Sequence, residues 1–561
     1  MENQRLLLYI TLFFIIYLLW AEWQMDYGPK TEAPVSETVS AVEPGATEVP
    51  EAATAPDEAT IIESSQAEQT GSQRIRVITD VFDIEIDSKG GDIRKAVLRS
   101  YSKTADNPDE KLVLMSDTDI NFFIAQSGLV SVNAGTAPTH NSVYSAENTS
   151  YRLAEGVEEM KVPLYWTGPD GIKVSKIYTF RRNDYVIDVQ HDVKAGKQNW
   201  SGSQYMQLVR VPPTEEEGNA FIYTYTGGVV YNDAIKYEKV DFDDIAEQNL
   251  KAVIGDGCLN IANSQKGCEL TGGWLAMMQH YFLAAWIPEA QENNLFYSKN
   301  PMNTYKYILG ARSPAQKIPA ESTATFNTRL VVGPKLQNQL EQIAPGLELT
   351  VDYGVLTIIA KPLFWLLDIF HGWFGNWGWA IIFLTITVKA IFYKLSEMSY
   401  RSMAKMRKVA PRIKQMKERY GDDRQAMSKA MMDMYKREKI NPMGGCFPIL
   451  VQMPVFIALY WVLLESVEMR HAPFILWIDN LSARDPYFIL PIIMGVSMWV
   501  QQKLNPAPVD PVQQKIFQYM PFVFTVMFAF FPSGLVLYWV VNNILSIAQQ
   551  YVITRRIEKE A

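Results

Sequence analysis

Hydrophobic and polar residues follow successive patterns along this chain of 561 residues. The uncharged apolar run at residues 6–21 almost reaches the length needed to cross a bilayer, so residues 1–24 are predicted to form an N-terminal transmembrane anchor. Residues 25–72 contain Glu, Ala, Thr, Pro and Ser with few bulky apolar side chains, which predicts a flexible acidic linker. In residues 73–340, short alternating or apolar runs end at Gly, Asn, Asp or Pro. This pattern predicts a large all-β sandwich domain.

Helical spacing replaces the strand pattern after residue 340. Residues 341–376 contain an apolar stretch that is interrupted by charged residues and a proline, so an interfacial amphipathic helix fits better than a span. Residues 377–555 are predicted to form a core of five transmembrane helices, which gives six spans with the anchor. The predicted core spans lie at about residues 377–395, 447–464, 487–499, 516–531 and 535–553. Residues 556–561 form a short tail.

The distribution of charge predicts how the chain is oriented in a membrane. Residues 394–439 contain 14 Lys and Arg against six Asp and Glu, whereas residues 24–371 contain 29 against 46, a net charge of −17. Because basic segments stay in the cytoplasm, both termini are predicted to be cytoplasmic and the sandwich domain to be exported. Methionines at helical spacing indicate a basic helical hairpin over residues 396–440. Its basic face suits anionic lipid headgroups or ribosomal RNA.

Three cysteines are too few for a disulfide-rich scaffold or a four-thiolate zinc site. Cys258 and Cys268 lie close together in the predicted exported domain, where a disulfide and two free thiols both remain open. No GxxxxGK[ST] string occurs, so ATP hydrolysis is not expected. The sequence predicts neither a metal site nor a cofactor.

Lys389 is the sharpest single candidate for a functional residue, since it lies within the first predicted core span. A charge in that position costs roughly 3 kcal/mol unless it meets water or a partner. One interpretation is a lysine that extends its side chain to the cytoplasmic interface. The other is a hydrated cavity, favoured because Thr385 lies one helical turn earlier and no transmembrane carboxylate is available as a counter-ion. Polar residues also interrupt the other spans, namely Gln452, Ser497, Gln518, Asn542 and Asn543.

Five segments together resemble the YidC/Oxa/Alb family of membrane protein insertases, in the long Gram-negative form with a periplasmic domain. They are GGWLAMMQHYF (residues 272–282), YRSMAKMR (400–407), NPMGGCFPILVQMPVFIALYWVL (441–463), DPYFILPIIMG (485–495) and FPSGLVLYW (531–539). The resemblance covers nearly the whole chain, and these strings together are highly specific. It implies a protein of the bacterial inner membrane.

The resemblance also implies a five-helix core around a hydrophilic groove that is open to the cytoplasm and to lipid. Lys389 matches the family's positive groove residue, which is usually arginine. The substrate-contacting wall of the groove is implied to include Thr385, Met453, Pro454, Phe456 and Tyr538, with Trp539 in place of a common tyrosine, and the polar Gln452, Gln518 and Asn542 are expected to line the groove as well.

The implied function is insertion and chaperoning of nascent membrane proteins, alone or with the Sec translocon. Further expected partners are anionic lipids and, through the basic hairpin, the ribosome and the signal recognition particle receptor. The alternative is a membrane transporter with a periplasmic capture domain. Enzyme activity is not expected, because nothing in the sequence brings two histidines near a carboxylate.

Overall fold

The computed structural model describes residues 72–133, 135–213, 224–255, 258, 267–301, 304–420, 423–438, 447–505 and 511–559. The predicted anchor, all of the predicted linker except residue 72, and Cys446 lie outside the described residues. Strands fill the described chain up to residue 334, and helices predominate from residue 337 onward. The predicted combination of a β-sandwich domain and a helical C-terminal region is therefore confirmed.

The strands of the β-domain lie between residues 74 and 334. They are β1 (Arg74–Ile78), β2 (Phe82–Asp87), β3 (Asp92–Ser102), β4 (Lys111–Met115), β5 (Phe123–Ser131), β6 (Ser145–Ala146), β7 (Ser150–Arg152), β8 (Glu159–Thr167), β9 (Lys173–Arg181), β10 (Val186–Lys194), β11 (Trp200–Arg210), β12 (Gly227–Asn232), β13 (Lys236–Val240), β14 (Cys268–Thr271), β15 (Trp274–Met278), β16 (Phe282–Pro288), β17 (Asn293–Lys299), β18 (Tyr307–Arg312), β19 (Gln316–Ile318) and β20 (Thr323–Pro334).

These strands form two sheets that pack face to face. The first sheet has the order β14-β17-β18-β11-β5-β3-β2-β1-β7, with β4 paired to β3 and β19 to β11. The second sheet has the order β13-β12-β15-β16-β20-β10-β9-β8-β6. Leu208 of the first sheet and Trp286 of the second are fully buried in one shared cluster. Burial of these inner faces is the main stabilising contribution to the sandwich.

The outer face of the second sheet is polar along β10 and the middle of β20, because these strands alternate. In β20 the residues from Phe326 to Leu330 alternate between buried and exposed, and in β10 the pattern is similar. Asp188 of β10 lies opposite Arg329 of β20 in the antiparallel register. Side chains of one parity therefore enter the core, while the others lie on a continuous outer surface.

Helices begin within the β-domain and dominate the second half of the chain. They are α1 (Phe242–Ala246), α2 (Leu250–Ile254), α3 (Gln337–Ile343), α4 (Thr357–Phe374), α5 (Trp377–Ile391), α6 (Tyr393–Tyr420), α7 (Arg424–Arg437), α8 (Phe447–Glu465), α9 (Ile489–Leu504), α10 (Pro511–Phe528) and α11 (Ser533–Lys559). Prolines 362, 411, 454 and 521 lie inside helices, so none of them ends a helix.

Within the described ranges, no single helix combines the length and the apolar character needed to cross a membrane. Taken together, Trp377–Ile391 and Tyr393–Met406 meet both requirements, with a bend of 66° between them. The six-span count and the predicted span limits therefore stay predictions.

Helix α4 has one buried and one exposed apolar face. Leu363, Leu367 and Phe370 are buried, whereas Trp365 and Trp373 are largely exposed. An arrangement of this kind is typical of a helix that lies along an interface. Asn376, just after α4, caps α5 by accepting hydrogen bonds from Gly378 and Trp379.

The loop after α8 packs directly against the β-domain. Arg470 donates hydrogen bonds from its guanidinium to the backbone oxygens of Ser102 (2.8 Å) and Lys103 (2.9 Å). The His280 Nε2 atom lies 3.0 Å from the backbone oxygen of Leu464. The C-terminal end of α8 is therefore held by two separate parts of the β-domain.

Candidate functional site

The candidate site is centred on Lys389, in the last turn of α5. Its side chain is 7% exposed, and its Nζ atom donates a hydrogen bond to Ser546 Oγ of α11 at 2.8 Å. Ser546 Oγ in turn donates to the backbone oxygen of Asn542 at 2.7 Å. Tyr400 of α6 donates to the backbone oxygen of Ser546 at 3.5 Å. Three helices therefore meet around this ammonium group.

No ion pair joins Lys389 to a carboxylate anywhere in the part of the chain that the structure describes. A neutral hydroxyl offsets only a small part of the cost of removing an ammonium group from water. The site therefore combines a buried cation with incomplete compensation. Such a group attracts anionic or strongly polar ligands.

Thr385 lies one turn before Lys389 and is almost fully buried. Its Oγ1 donates to the backbone oxygen of Ile381 at 2.7 Å. This bond uses the hydroxyl proton within the helix, so Thr385 presents an acceptor rather than a donor to its surroundings.

Aromatic side chains of α8 and α11 form the second part of the site. Phe456 stacks on Tyr538 with ring centroids 6.0 Å apart and contacts Trp539 edge to face at 4.7 Å. The nitrogens Gln452 Nε2 and Trp539 Nε1 are buried and have no hydrogen-bond partner among the residues that the structure describes. The apolar wall thus contains two buried donors whose hydrogen bonds are unmet among the described residues.

The remaining predicted site residues are placed less closely. Pro454 lies inside α8, where it removes one backbone donor from the helix. Met453 is 49% exposed, and the exposed side chain of Gln518 on α10 makes no hydrogen bond among the described residues. Asn542 is half-buried and joins the site through its backbone oxygen. The structure therefore brings Lys389 and Asn542 together, groups Phe456 with Tyr538 and Trp539, and leaves Gln518 apart.

In the β-domain, Cys258 and Cys268 form a disulfide with Cα atoms 5.1 Å apart. Disulfides persist mainly outside the reducing cytosol. No cluster of three or more His, Cys, Asp or Glu residues suited to a metal ion occurs within the described ranges.

Comparison with known proteins shows which family this chain resembles. Residues 74–366 match the family described as YidC periplasmic domain, and residues 369–560 match the one described as 60Kd inner membrane protein. The protein named Membrane protein insertase YidC from Methylococcus capsulatus is 51% identical over 561 residues, which cover 100% of this chain and 99% of that relative. The chain belongs to the YidC family. The protein of the same name from Thioalkalivibrio sulfidiphilus is 50% identical, again with 100% of this chain and 99% of the relative covered.

A solved structure described as an active YidC insertase, with its first transmembrane domain resolved, is also similar. It aligns with 87% of this chain and 93% of its own length, at 16% identity and a TM-score of 0.38. The YidC family is one of membrane protein insertases of the bacterial inner membrane with a periplasmic domain, so the sequence-based family assignment is confirmed. The transporter alternative gains no support from these relatives.

Two polar contacts of the site were missed by the sequence analysis. Ser546 holds Lys389, and Asn543 Nδ2 donates to Ser497 Oγ of α9 at 3.0 Å. The available signal was spacing: Asn542, Ser546 and Gln550 recur every four residues and therefore share one face of α11. Nothing in the sequence alone pairs that face with Lys389.

Proposed function

We propose that this protein is a membrane protein insertase and chaperone that receives nascent membrane proteins in a hydrophilic groove. The full-length identity to proteins named membrane protein insertase supports the activity. The single observation that carries the mechanism is the buried Lys389 ammonium group, held by one hydroxyl and unpaired with any carboxylate in the described ranges. The groove is proposed to open toward the cytoplasm and the lipid.

Attraction by charge is the first step of the proposed mechanism. A short hydrophilic stretch of the client enters beside Lys389, and an acidic group there gains the ionic partner that the lysine lacks. This attraction spares the client part of the cost of placing polar groups in hydrocarbon. An arginine at the same position would keep the charge and add bidentate hydrogen bonding.

Release of the apolar segment is the second step. Phe456, Tyr538 and Trp539 offer an apolar wall, while Gln452 Nε2 and Trp539 Nε1 are free to donate to client carbonyl oxygens. Client segments then leave along α8 and α10 into lipid, driven by burial of their own apolar surface. No nucleotide and no catalytic reaction are required.

The proposed arrangement in the membrane follows the charge pattern. Both termini lie in the cytoplasm, six spans cross the inner membrane, and the β-domain is periplasmic. Helices α6 and α7 form the basic cytoplasmic hairpin, since buried Val409 and Ile413 pack against Met431 and Met434. The proposed partners are the Sec translocon, the ribosome, the signal recognition particle receptor and anionic lipids.

A reconstituted insertion assay tests the role of Lys389. A two-span client with an acidic loop is added to liposomes that contain only this protein, and protection of the loop from protease is measured. We expect wild type and Lys389→Arg to protect the loop and Lys389→Gln to lose most of the protection, because one charge in a poorly hydrated site governs capture. Lys515→Gln removes an exposed cation of α10 and serves as the matched control.

Two outcomes would contradict this account. Equal protection by all variants would show insertion that does not depend on the Lys389 charge. No protection by the wild type would exclude autonomous insertion and leave only chaperoning beside a translocon.

A further inference from the structure

The loop between α8 and α9 exposes large apolar side chains that the proposed mechanism does not use. Its residues 472–478 read APFILWI, an apolar run without a charge. Ile475 and Leu476 lie at the end of a tight turn, in which the backbone nitrogen of Phe474 donates to the backbone oxygen of Ile478 at 2.8 Å. Both side chains are exposed, and Leu476 is 80% exposed. We call Ile475 and Leu476 the first apolar tip.

A second apolar tip, Tyr487 and Phe488, lies where the same loop enters α9, and both of its side chains are exposed. The buried Asp485 links the two tips. Its Oδ1 accepts hydrogen bonds from Trp477 Nε1 at 3.1 Å and from the backbone nitrogen of Tyr487 at 3.0 Å. Its Oδ2 accepts from the backbone nitrogen of Leu490 at 2.7 Å. The loop therefore holds both tips in a fixed arrangement.

The backbone is strained at one residue of each tip. Leu476 has a φ angle of +58° and Phe488 one of +56°. Large side chains rarely adopt this left-handed conformation, which Gly, Asn and Asp accept with less strain. Contact with water does not reward an apolar side chain at such a position. Strained apolar residues that are exposed therefore indicate a function outside the packing of the protein itself.

The two tips lie at the level where two predicted core spans begin. Asn376, which caps α5, donates from Nδ2 to the backbone oxygen of Pro473 at 3.1 Å. The ring of Phe474 contacts that of Trp379 edge to face, with centroids 5.7 Å apart. The first tip is thus fixed beside the first turn of α5. The second tip lies at the first turn of α9.

The neighbouring surface favours lipid over a protein partner. Trp365 and Trp373 of α4 and Trp379 of α5 are exposed, and exposed tryptophans at the ends of spans are typical of the interface between membrane and water. Two tips of two residues each are far smaller than the roughly 800 Å² per partner of a stable protein–protein interface. A lipid interface accepts separate apolar side chains without a continuous complementary surface.

We propose that the loop between α8 and α9 inserts its two apolar tips into the periplasmic leaflet of the membrane and thereby fixes the depth of α5 and α9. Lys389 lies twelve residues after Trp377, or about 18 Å along α5, so this anchor also sets the depth of the candidate site. The proposal rests on the proposed arrangement in the membrane and not on the insertase activity.

Quenching of a fluorescent label by modified lipids tests the proposal. Full-length protein with Cys446→Ser as the background carries one new cysteine, at position 475, 523 or 132, labelled with a nitrobenzoxadiazole fluorophore. It is reconstituted at a high ratio of lipid to protein, with or without a phospholipid that has a nitroxide near the top of its acyl chain. Val523 is exposed on α10, a proposed span, and Val132 is an exposed apolar residue of the β-domain.

We expect the nitroxide lipid to quench the labels at positions 475 and 523 but not the label at position 132. Leu476→Asn relieves backbone strain and removes the apolar side chain, so it is expected to lower the quenching at position 475 by at least about twofold. The matched Val132→Asn should leave that quenching unchanged.

Three results would overturn the proposal. Quenching at position 475 no stronger than at position 132, while position 523 is quenched, places the first tip outside lipid and leaves the membrane arrangement standing. A label at position 475 that is shielded from aqueous iodide but not quenched by the lipid shows that protein covers the tip. Unchanged quenching in Leu476→Asn shows that Leu476 does not hold the loop in lipid. Absence of quenching at position 523 overturns the proposed membrane arrangement itself, and the loop proposal with it.

Discussion

Two buried lysines differ in how well the surrounding groups compensate for removing the ammonium charge from water. Lys176, in the core of the sandwich, donates to the backbone oxygens of Gly90 (3.0 Å) and Ser127 (2.8 Å) and lies 3.7 Å from Asp92 Oδ1. Burial lowers the pKa of Lys176 to about 8 and raises that of Asp92. Lys389, by contrast, has only the Ser546 hydroxyl as a hydrogen-bond partner among the described residues. The compensated lysine supports the fold, whereas the poorly compensated one is suited to attract a ligand.

Asp92→Asn is expected to destabilise the β-domain by about 3 kcal/mol, because it leaves the Lys176 ammonium group buried without its countercharge. Unfolding of the full-length protein in detergent, followed by near-UV circular dichroism under urea, measures the change in free energy of unfolding. The double variant Asp92→Asn with Lys176→Met is expected to recover most of the loss. Equal stability of wild type and Asp92→Asn would mean that Lys176 needs no carboxylate.

At the scale of elements, the β-domain fixes helix α8, which carries Gln452 and Phe456 of the candidate site. Besides the contacts of Arg470 and His280, Val467 is buried in the sandwich cluster. The Ser102 hydroxyl lies 3.1 Å from His471 Nδ1. These contacts restrain one end of the helix that forms the aromatic wall.

Arg470→Ala should loosen that end of α8 without unfolding either region. Loss of two charge-assisted hydrogen bonds in a half-buried position is expected to cost about 1.5 kcal/mol, which corresponds to roughly tenfold faster amide hydrogen exchange in residues 464–472. Arg152→Ala, an exposed arginine of β7, is the control and should leave exchange there unchanged. Exchange that remains at the wild-type rate in Arg470→Ala would show that Arg470 does not hold this junction.

The same elements show which parts of the structure could be predicted from the sequence. Period-two runs such as β10 and period-3.6 runs such as α6 were recognisable, because burial of one face leaves its spacing in the residues themselves. Three features could not be recognised in this way: the sheet order, the contact of Lys389 with Ser546, and the hydrogen bond from Arg470 to Ser102. Both contacts join residues more than 150 positions apart, and the sheet order pairs many strands that are not neighbours along the chain, so no local pattern determines which distant group lies opposite.

At the scale of the whole molecule, charge and redox chemistry point to the same orientation. The net charge of −17 over residues 24–371 and the disulfide between Cys258 and Cys268 both suit an exported domain. The 14 basic residues between 394 and 439 suit the cytoplasm. These are independent properties of separate segments, so one experiment that places both segments tests the entire arrangement.

Accessibility to a maleimide that cannot cross membranes provides this experiment, with Cys446→Ser as the background. Lys317→Cys places a thiol on the exposed surface of β19, and Met432→Cys places one on the exposed surface of α7. In spheroplasts we expect position 317 to be labelled at once and position 432 only after the membrane is opened, because in the proposed orientation a bilayer separates the acidic domain from the basic helices. Immediate labelling at position 432 would reverse the proposed orientation of the helical core. It would also mean that the proposed groove beside Lys389 opens on the periplasmic side, away from the ribosome.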